Sequence, residues 1–131
     1  MPVFLLGTIQ FNKALYVIKN MLEKQDSFKN GRLQVPQTKP RSGGEVLGCT
    51  SPVIGDSKIP GIVIFISDGR FHIESALIKN PHLKFYQYNP YSMKLTEEAY
   101  EHEAMHEIRF KEIQRAREAK MFGIVFGTLG R

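Results

Sequence analysis

The stretch that decides the fold is IVIFISDGR, residues 62–70. Its first five residues are apolar and four of them are β-branched, which indicates a strand covered on both faces, as in a parallel sheet. The polar SDGR turn ends this strand, and residues 71–79 then form a short helix that Asn80-Pro81 terminates. Strand, polar turn and helix in this order are the unit from which α/β folds are built.

The same alternation continues on both sides of this unit. Further strands are expected at residues 3–9, 31–36, 83–88 and 122–126, and further helices at residues 11–24 and 96–120. The last helix would turn an apolar stripe inward, formed by Met105, Ile108, Ile113, Ala116 and Ala119. We therefore predict an α/β fold: a three-layer domain with a mostly parallel, four- to five-stranded sheet flanked by helices, with residues 1–131 forming a single domain.

Length and composition exclude several classes of protein. The chain has 131 residues, and no apolar run approaches the ~20 residues of a membrane span. The apolar start lacks the basic residues and the cleavage site of a signal peptide. The net charge of +5 is too small to indicate direct binding of nucleic acid. A single cysteine excludes an internal disulfide and fits a reducing, cytoplasmic location.

That single cysteine, Cys49, lies in the run GEVLGCTSP, residues 44–52. A thiolate is a soft ligand suited to iron–sulfur chemistry, and it is also a nucleophile. The glycines of the run leave room for a bulky group to approach the backbone. One thiolate cannot hold a cluster or a structural zinc, which need three or four ligands. Cys49 is therefore an incidental thiol, a lone nucleophile, or one corner of a site completed by residues outside this chain.

Three polar runs follow predicted strands, and ligands of α/β sheets bind at the carboxyl ends of strands. These runs are residues 8–10, 67–70 and 127–131. Gly69 permits a tight turn with free amide groups, and Arg70 adds a two-pronged donor for a carboxylate or phosphate. The equally weighted alternative is a capped helix without a ligand, with Phe71 in the core and His72 and Glu74 on the surface. The run at 127–131 could also expose backbone amides, but it lacks the spacing of a phosphate-binding loop.

The stretch HEAMH, residues 102–106, matches the HExxH pattern of zinc proteases. Helical spacing would place His102 and His106 on one face, where Glu103 could activate a water molecule. The surrounding residues are rich in charge, however, and no histidine follows His106 to complete a metal site. We therefore expect an exposed helix surface here and no zinc.

Five runs taken in order resemble one protein family: residues 8–11, 44–52, 68–75, 88–91 and 127–131. They are similar to the central domain of the cluster-bearing subunit of eukaryotic diphthamide synthase, the 2-(3-amino-3-carboxypropyl)histidine synthase. The LGCTSP and DGRFHIE runs are the most specific in combination, and the resemblance covers almost the whole chain. The last predicted strand is followed by no covering helix, so we also expect a fragment of a longer protein.

The resemblance implies a particular chemistry. Three similar α/β domains each lend one cysteine to a 4Fe–4S cluster, whose fourth iron binds S-adenosylmethionine. Reductive cleavage of that molecule gives a 3-amino-3-carboxypropyl radical, which is added to a histidine ring of elongation factor 2. This is the first step of diphthamide biosynthesis. The enzyme is a transferase that works with a related second subunit, and the isolated fragment is expected to be inactive.

By the same resemblance, Cys49 is the cluster ligand contributed by the middle domain. Candidates for lining the S-adenosylmethionine pocket are Gly69, Arg70, Gly127, Thr128, Gly130 and Arg131. Gln87 and Asn89 stand where the family usually has arginine and aspartate, which leaves the role of their turn open. The alternative function is a non-catalytic α/β domain that binds a small anion at the Gly69 turn, or a partner protein.

Overall fold

The central strand of the fold is β3, Ile62–Ile66, as its apolar sequence predicts. The computed structural model describes residues 1–48 and 50–127. In these residues β3 belongs to a five-stranded sheet with the order β2-β1-β3-β4-β5. The other strands are β1, Val3–Gly7; β2, Leu33–Gln34; β4, Lys84–Asn89; and β5, Lys94–Glu98. The chain divides into two compact units, Met1–Tyr100, which contains the whole sheet, and a second unit that begins at Glu101.

The sheet is parallel except at one edge. β1 pairs in parallel with both β2 and β3, and β3 pairs in parallel with β4. β5 is antiparallel to β4, because only four residues separate the two strands and so short a connection can only reverse the chain. In that connection the Asn89 side chain accepts hydrogen bonds from the amides of Tyr91 and Ser92, and Met93 has a positive φ of 53°.

Helices cover both faces of the sheet. Helix α1, Asn12–Glu23, packs through Leu15 on one face, in a cluster that includes Leu5 and Ile66. Helix α2, Phe71–Lys79, buries Ile73 on the other face, in the cluster that includes Phe65. Successive strand residues therefore point to opposite clusters, as the period of two in a strand requires. The expected three-layer α/β architecture is confirmed.

The second unit differs from the expectation. Helix α3, His102–Glu118, starts six residues later than predicted, because Lys94–Glu98 pairs with β4 as a strand. Thr96 donates to the Glu98 carboxylate and caps no helix. The predicted inner stripe is not buried, and α3 buries no residue. The expected strand at residues 122–126 is irregular and exposed, since it pairs with no strand of the part of the chain that the structure describes.

The helices were also compared with the requirements of a membrane span. Within the described residues, each helix is too short or too polar to cross a bilayer.

Candidate functional site

The loop that carries the cysteine run continues the sheet at the carboxyl end of β1. The Gly7 amide donates to the Gly44 carbonyl at 2.8 Å, and the Val46 amide donates to the Gly7 carbonyl at 3.0 Å. Gly44 has a φ of +75°, and a Cβ there would lie 2.6 Å from Leu15 Cδ1 and 3.1 Å from the Leu5 carbonyl oxygen. Glycine is therefore required on both conformational and steric grounds. The loop is bound to the edge where α/β folds bind ligands.

The chain is held on each side of residue 49, while Cys49 itself lies outside the described residues. The Thr50 amide donates to the Leu47 carbonyl at 3.0 Å. On the downstream side, Ser51 Oγ donates to Ser75 Oγ of α2 at 3.0 Å. Upstream, Gly48 lies against the ring of Phe71, the first residue of α2. The cysteine run is thus packed on α2 from both directions.

Asn80 holds the remainder of this loop. Its side chain is 0% exposed and lies directly after α2. Its Oδ1 accepts from the Ile54 amide at 2.7 Å, and its Nδ2 donates to the carbonyls of Pro52 and Ala76, both at 3.0 Å. A buried amide that satisfies three backbone groups fixes the loop against the end of the helix, because leaving such groups unpaired is costly.

A cavity of about 270 Å³ lies beside the cysteine run. Its lining comes from Gly48 of the loop and from one side of α2, namely Phe71, Glu74, Ser75, Ile78 and Lys79. The cavity is therefore continuous with the segment that precedes Cys49.

The turn after β3 is organised by Gln87, a buried residue of β4. Gln87 Nε2 donates to the carbonyl oxygens of Ser67 and Gly69 and to Ser67 Oγ, at distances of 3.2, 3.1 and 3.0 Å. Ser67 Oγ also donates to the Gly69 carbonyl at 3.0 Å. This turn leaves Gly69 exposed, and a Cβ at Gly69 would meet nothing within 4 Å.

The Arg70 side chain is engaged by protein groups. Its Nε donates to Glu74 Oε1 at 3.2 Å, Nη1 forms an ion pair with Glu98, and Nη2 donates to the Ala99 carbonyl at 3.4 Å. The guanidinium therefore joins the start of α2 to the end of β5. A ligand would have to compete with two carboxylates for it, which weakens the expectation that Arg70 alone binds an anion.

A second cavity, of about 220 Å³, lies where β3 and β4 end and β5 begins. Polar residues line it: Asp68, Gly69, Arg70, Gln87, Asn89, Ser92, Lys94 and Thr96. Two of the candidate cofactor residues, Gly69 and Arg70, thus face one cavity. At the end of the neighbouring β1, Thr8 Oγ1 is the buried side-chain oxygen without a hydrogen-bond partner among residues 1–48 and 50–127.

The remaining candidate residues follow Glu101, where the second unit begins. Gly127 is exposed in the second unit. Thr128, Gly130 and Arg131 lie outside the described residues, so their assignment to a cofactor pocket stays a prediction. In the part of the chain that is described, no three His, Cys, Asp or Glu side chains are grouped so that they could hold a metal. His106 and Glu103 of the HExxH pattern are both exposed on α3.

The sequence did not reveal three residues that build this site: Phe71, Asn80 and Gln87. Phe71 was expected to begin the helix and, without a ligand at the turn, to lie in the core, but it is 70% exposed. Asn80 was expected only to end the helix. Gln87 stood out only because the family that the chain resembles usually has arginine at this position. An amide side chain inside a strand or directly after a helix is a weak signal, because its partners are distant in sequence.

Comparisons with known proteins agree on one family. The model of the diphthamide synthesis protein family matches residues 1–131. A relative from Schizosaccharomyces pombe, named 2-(3-amino-3-carboxypropyl)histidine synthase subunit 1, is 51% identical over 129 residues, which are 97% of this chain and 29% of the relative. Its namesake from Caenorhabditis elegans is 47% identical over 125 residues, covering 95% of this chain and 31% of the relative.

A solved structure shares the fold. The crystal structure of Dph2 from Pyrococcus horikoshii with a 4Fe-4S cluster superposes with a TM-score of 0.66 at 24% identity, covering 91% of this chain and 33% of that one. The chain spans about a third of the length of the relatives that it matches. The resemblance carried by the cysteine run and the turn after β3 is thereby confirmed, and the chain belongs to the diphthamide synthesis protein family.

Proposed function

We propose that this chain is part of an enzyme that transfers a 3-amino-3-carboxypropyl group from S-adenosylmethionine to a histidine of elongation factor 2, the first step of diphthamide biosynthesis. The observation that carries the proposal is the alignment of nearly the whole chain, at 46–51% identity, with relatives named 2-(3-amino-3-carboxypropyl)histidine synthase subunit 1. The activity is proposed for the full-length protein, in which residues 1–131 form the middle one of three α/β domains. The isolated chain is inactive in this proposal.

Cys49 supplies one thiolate to a 4Fe–4S cluster in this proposal. The donor set of the chain fits a shared cluster: it has one cysteine, and its described residues offer no other group of metal ligands. A cluster needs three or four thiolates, so the others come from the two flanking domains. When bound, the cluster supplies the electron for the radical-type cleavage of S-adenosylmethionine. The chain's own contribution is to hold the thiol-bearing run at the carboxyl edge of the sheet.

The S-adenosylmethionine pocket is proposed to include Gly69, Arg70, Gly127, Thr128, Gly130 and Arg131. Support comes from the polar cavity of about 220 Å³ that Gly69 and Arg70 line. Because Glu74 and Glu98 already pair with Arg70, its part is to shape the cavity wall rather than to act as a free cation. The support for Gly127 and the residues after it is the resemblance alone.

The partners follow from the same relatives. Their names call them subunit 1, which supports a related second subunit as the partner of the full-length protein. A cytoplasmic location is proposed because the substrate is a translation factor and a free thiol persists in a reducing compartment.

The experiment that tests the proposal is Cys49→Ala in the full-length protein with its second subunit. Transfer to elongation factor 2 is expected to be lost and the cluster to be destabilised, because one of its thiolates is removed. Val53→Ala, a truncation of a 72% exposed side chain in the same loop, serves as the control and should keep activity and iron content. The melting temperature shows whether each variant is folded. A folded Cys49→Ala variant with full activity would remove Cys49 from the site.

A non-catalytic domain that binds a small anion or a partner protein is the second candidate. The exposed Gly69 turn and the nearby Lys94 favour it, while the engagement of Arg70 by two carboxylates speaks against it. Iron and sulfide analysis of the full-length protein separates the two, because an anion-binding domain contains no cluster.

A further inference from the structure

Phe71 occupies an unusual place for a phenylalanine. It is the first residue of α2 and is 70% exposed, whereas Ile73 and Leu77 of the same helix are buried in the core. A side chain so exposed contributes little apolar burial to the fold. The contact made by the covered part of the ring is therefore more informative about the role of Phe71 than its total buried area.

The covering group is the backbone of Gly48, the residue before Cys49. A Cβ added to Gly48 would lie 2.8 and 2.9 Å from Cδ1 and Cζ of Phe71, and closer still to Cε1. The backbone of the loop thus rests directly on the edge of the ring. The φ of Gly48 lies outside the left-handed region, so glycine is needed here for space rather than for conformation.

Ser75 makes the corresponding contact on the other side of Cys49. Residues 71 and 75 are four apart in α2 and so share one face of the helix. Ser51, two residues after Cys49, donates to Ser75 Oγ at 3.0 Å. One helical face therefore contacts the loop at positions 48 and 51, and the Thr50–Leu47 hydrogen bond closes the segment between them.

We propose that Phe71 and Ser75 are positioning residues: they hold Gly48 and Ser51, on each side of Cys49, and so present the cysteine thiolate to the proposed cluster. The inference rests on the proposed function for its cluster, but the contacts with α2 are independent of it. Asn80 holds Pro52 and Ile54 separately, so removal of the Phe71 ring loosens the segment without detaching the loop.

The first test measures the opening of the segment directly in the 131-residue chain. Hydrogen exchange of the Thr50 amide, whose acceptor is the Leu47 carbonyl, should accelerate about fivefold in Phe71→Ala, because a weakly held turn opens more often. Phe71→Tyr keeps the ring and should restore the slow rate. Val17→Ala truncates a 58% exposed side chain of α1 and serves as the matched control.

A second variant keeps the inference testable if Phe71→Ala fails to fold. Gly48→Ala leaves α2 intact and displaces the Phe71 ring, which is free to swing into solvent. It should accelerate exchange at Thr50 to a similar extent. An unchanged Thr50 rate in both folded variants would overturn the inference.

The second test uses the full-length protein reconstituted with its cluster. Phe71→Ala should change the EPR spectrum of the reduced cluster while the iron content stays at the wild-type value, and Phe71→Tyr should restore the spectrum. Faster Thr50 exchange with an unchanged spectrum would show that the contact does not orient the thiolate, and would overturn the inference. If Cys49→Ala also leaves cluster content and spectrum unchanged, the proposed function fails instead. The two failures are therefore distinguishable.

Discussion

Gly44 shows how one residue fixes the position of the cysteine run. Its positive φ and its contacts with Leu15 and Leu5 act together, whereas Gly31 has a similar φ of +72° with nothing within 4 Å of an added Cβ. Substitutions at these two glycines therefore separate the free-energy cost of a left-handed backbone conformation from the cost of a steric clash.

We predict that Gly31→Ala lowers the free energy of unfolding by about 1 kcal/mol, the cost of the left-handed conformation for alanine. Gly44→Ala should lower it by about 2–4 kcal/mol, because its Cβ also collides with a buried leucine and a strand carbonyl. Urea unfolding followed by circular dichroism measures both values. Equal losses would show that the loop moves away from β1 without cost.

Residue-scale roles were only partly predictable from the sequence. The glycines around Cys49 predict close approach of the backbone, and Gly48 confirms it. The sequence could not show that Gly44, rather than a neighbour, takes the positive φ, nor that Asn80 is buried with three backbone partners. Gly44 contacts Leu5 and Leu15, and two of the three partners of Asn80 lie 26 and 28 residues away, so both features depend on segments that are distant in sequence.

At the scale of elements, Arg70 joins the start of α2 to the edge strand β5. Its partner Glu98 is mostly buried, although the Arg70 side chain is half exposed. β5 itself has little other support, since its first four residues are exposed and, within residues 1–48 and 50–127, it pairs with β4 alone. The contact therefore stabilises the least buried strand of the sheet.

Arg70→Ala should lower the free energy of unfolding by about 1 kcal/mol, the upper range for a partly exposed ion pair. The loss should shrink in 1 M salt, which screens exposed charges. Arg115→Ala removes an exposed pair on α3 and is the control, with an expected change within about 0.5 kcal/mol. A gain of stability in Arg70→Ala would contradict the prediction, because it would mean that desolvation of the partly buried pair costs more than the pair contributes.

Elements with a local pattern were predicted well, and those that depend on a distant partner were not. The apolar runs of β1 and β3 and the spacing in α1 indicate their structure without reference to the rest of the chain. Thr96-Glu97-Glu98 matches the start of a helix equally well, but pairing with β4 makes it a strand. Residues 122–126 have the composition of a strand but no described partner, so the prediction of a strand from composition alone was wrong.

On the scale of the whole molecule, the sheet presents one part of the divided site that we propose. The alternation of strands and helices was sufficient to predict the three layers, because parallel strands joined by helices must be covered on both faces. The sequence of this chain could not place the further cluster ligands, which the proposal assigns to flanking domains; the relatives that it matches are about three times as long.

Reconstitution tests this division. Incubated anaerobically with iron and sulfide, the 131-residue chain should form no stoichiometric 4Fe–4S cluster as a monomer, because it supplies a single thiolate. Iron content and visible absorbance of the monomeric fraction measure the outcome, with Cys49→Ser as the control for adventitious iron. One cluster per monomer would contradict the prediction.

The two contacts that α2 makes with the cysteine run also limit where residues can be inserted or deleted in this domain. Adding or deleting one residue between Phe71 and Ser75 would rotate the later part of the helix by about 100° and separate the two contacts. Residues 56–58, an exposed turn of the long loop, carry no such constraint. We therefore expect length variants in natural or engineered versions of this domain to occur in that turn, while α2 keeps its nine residues.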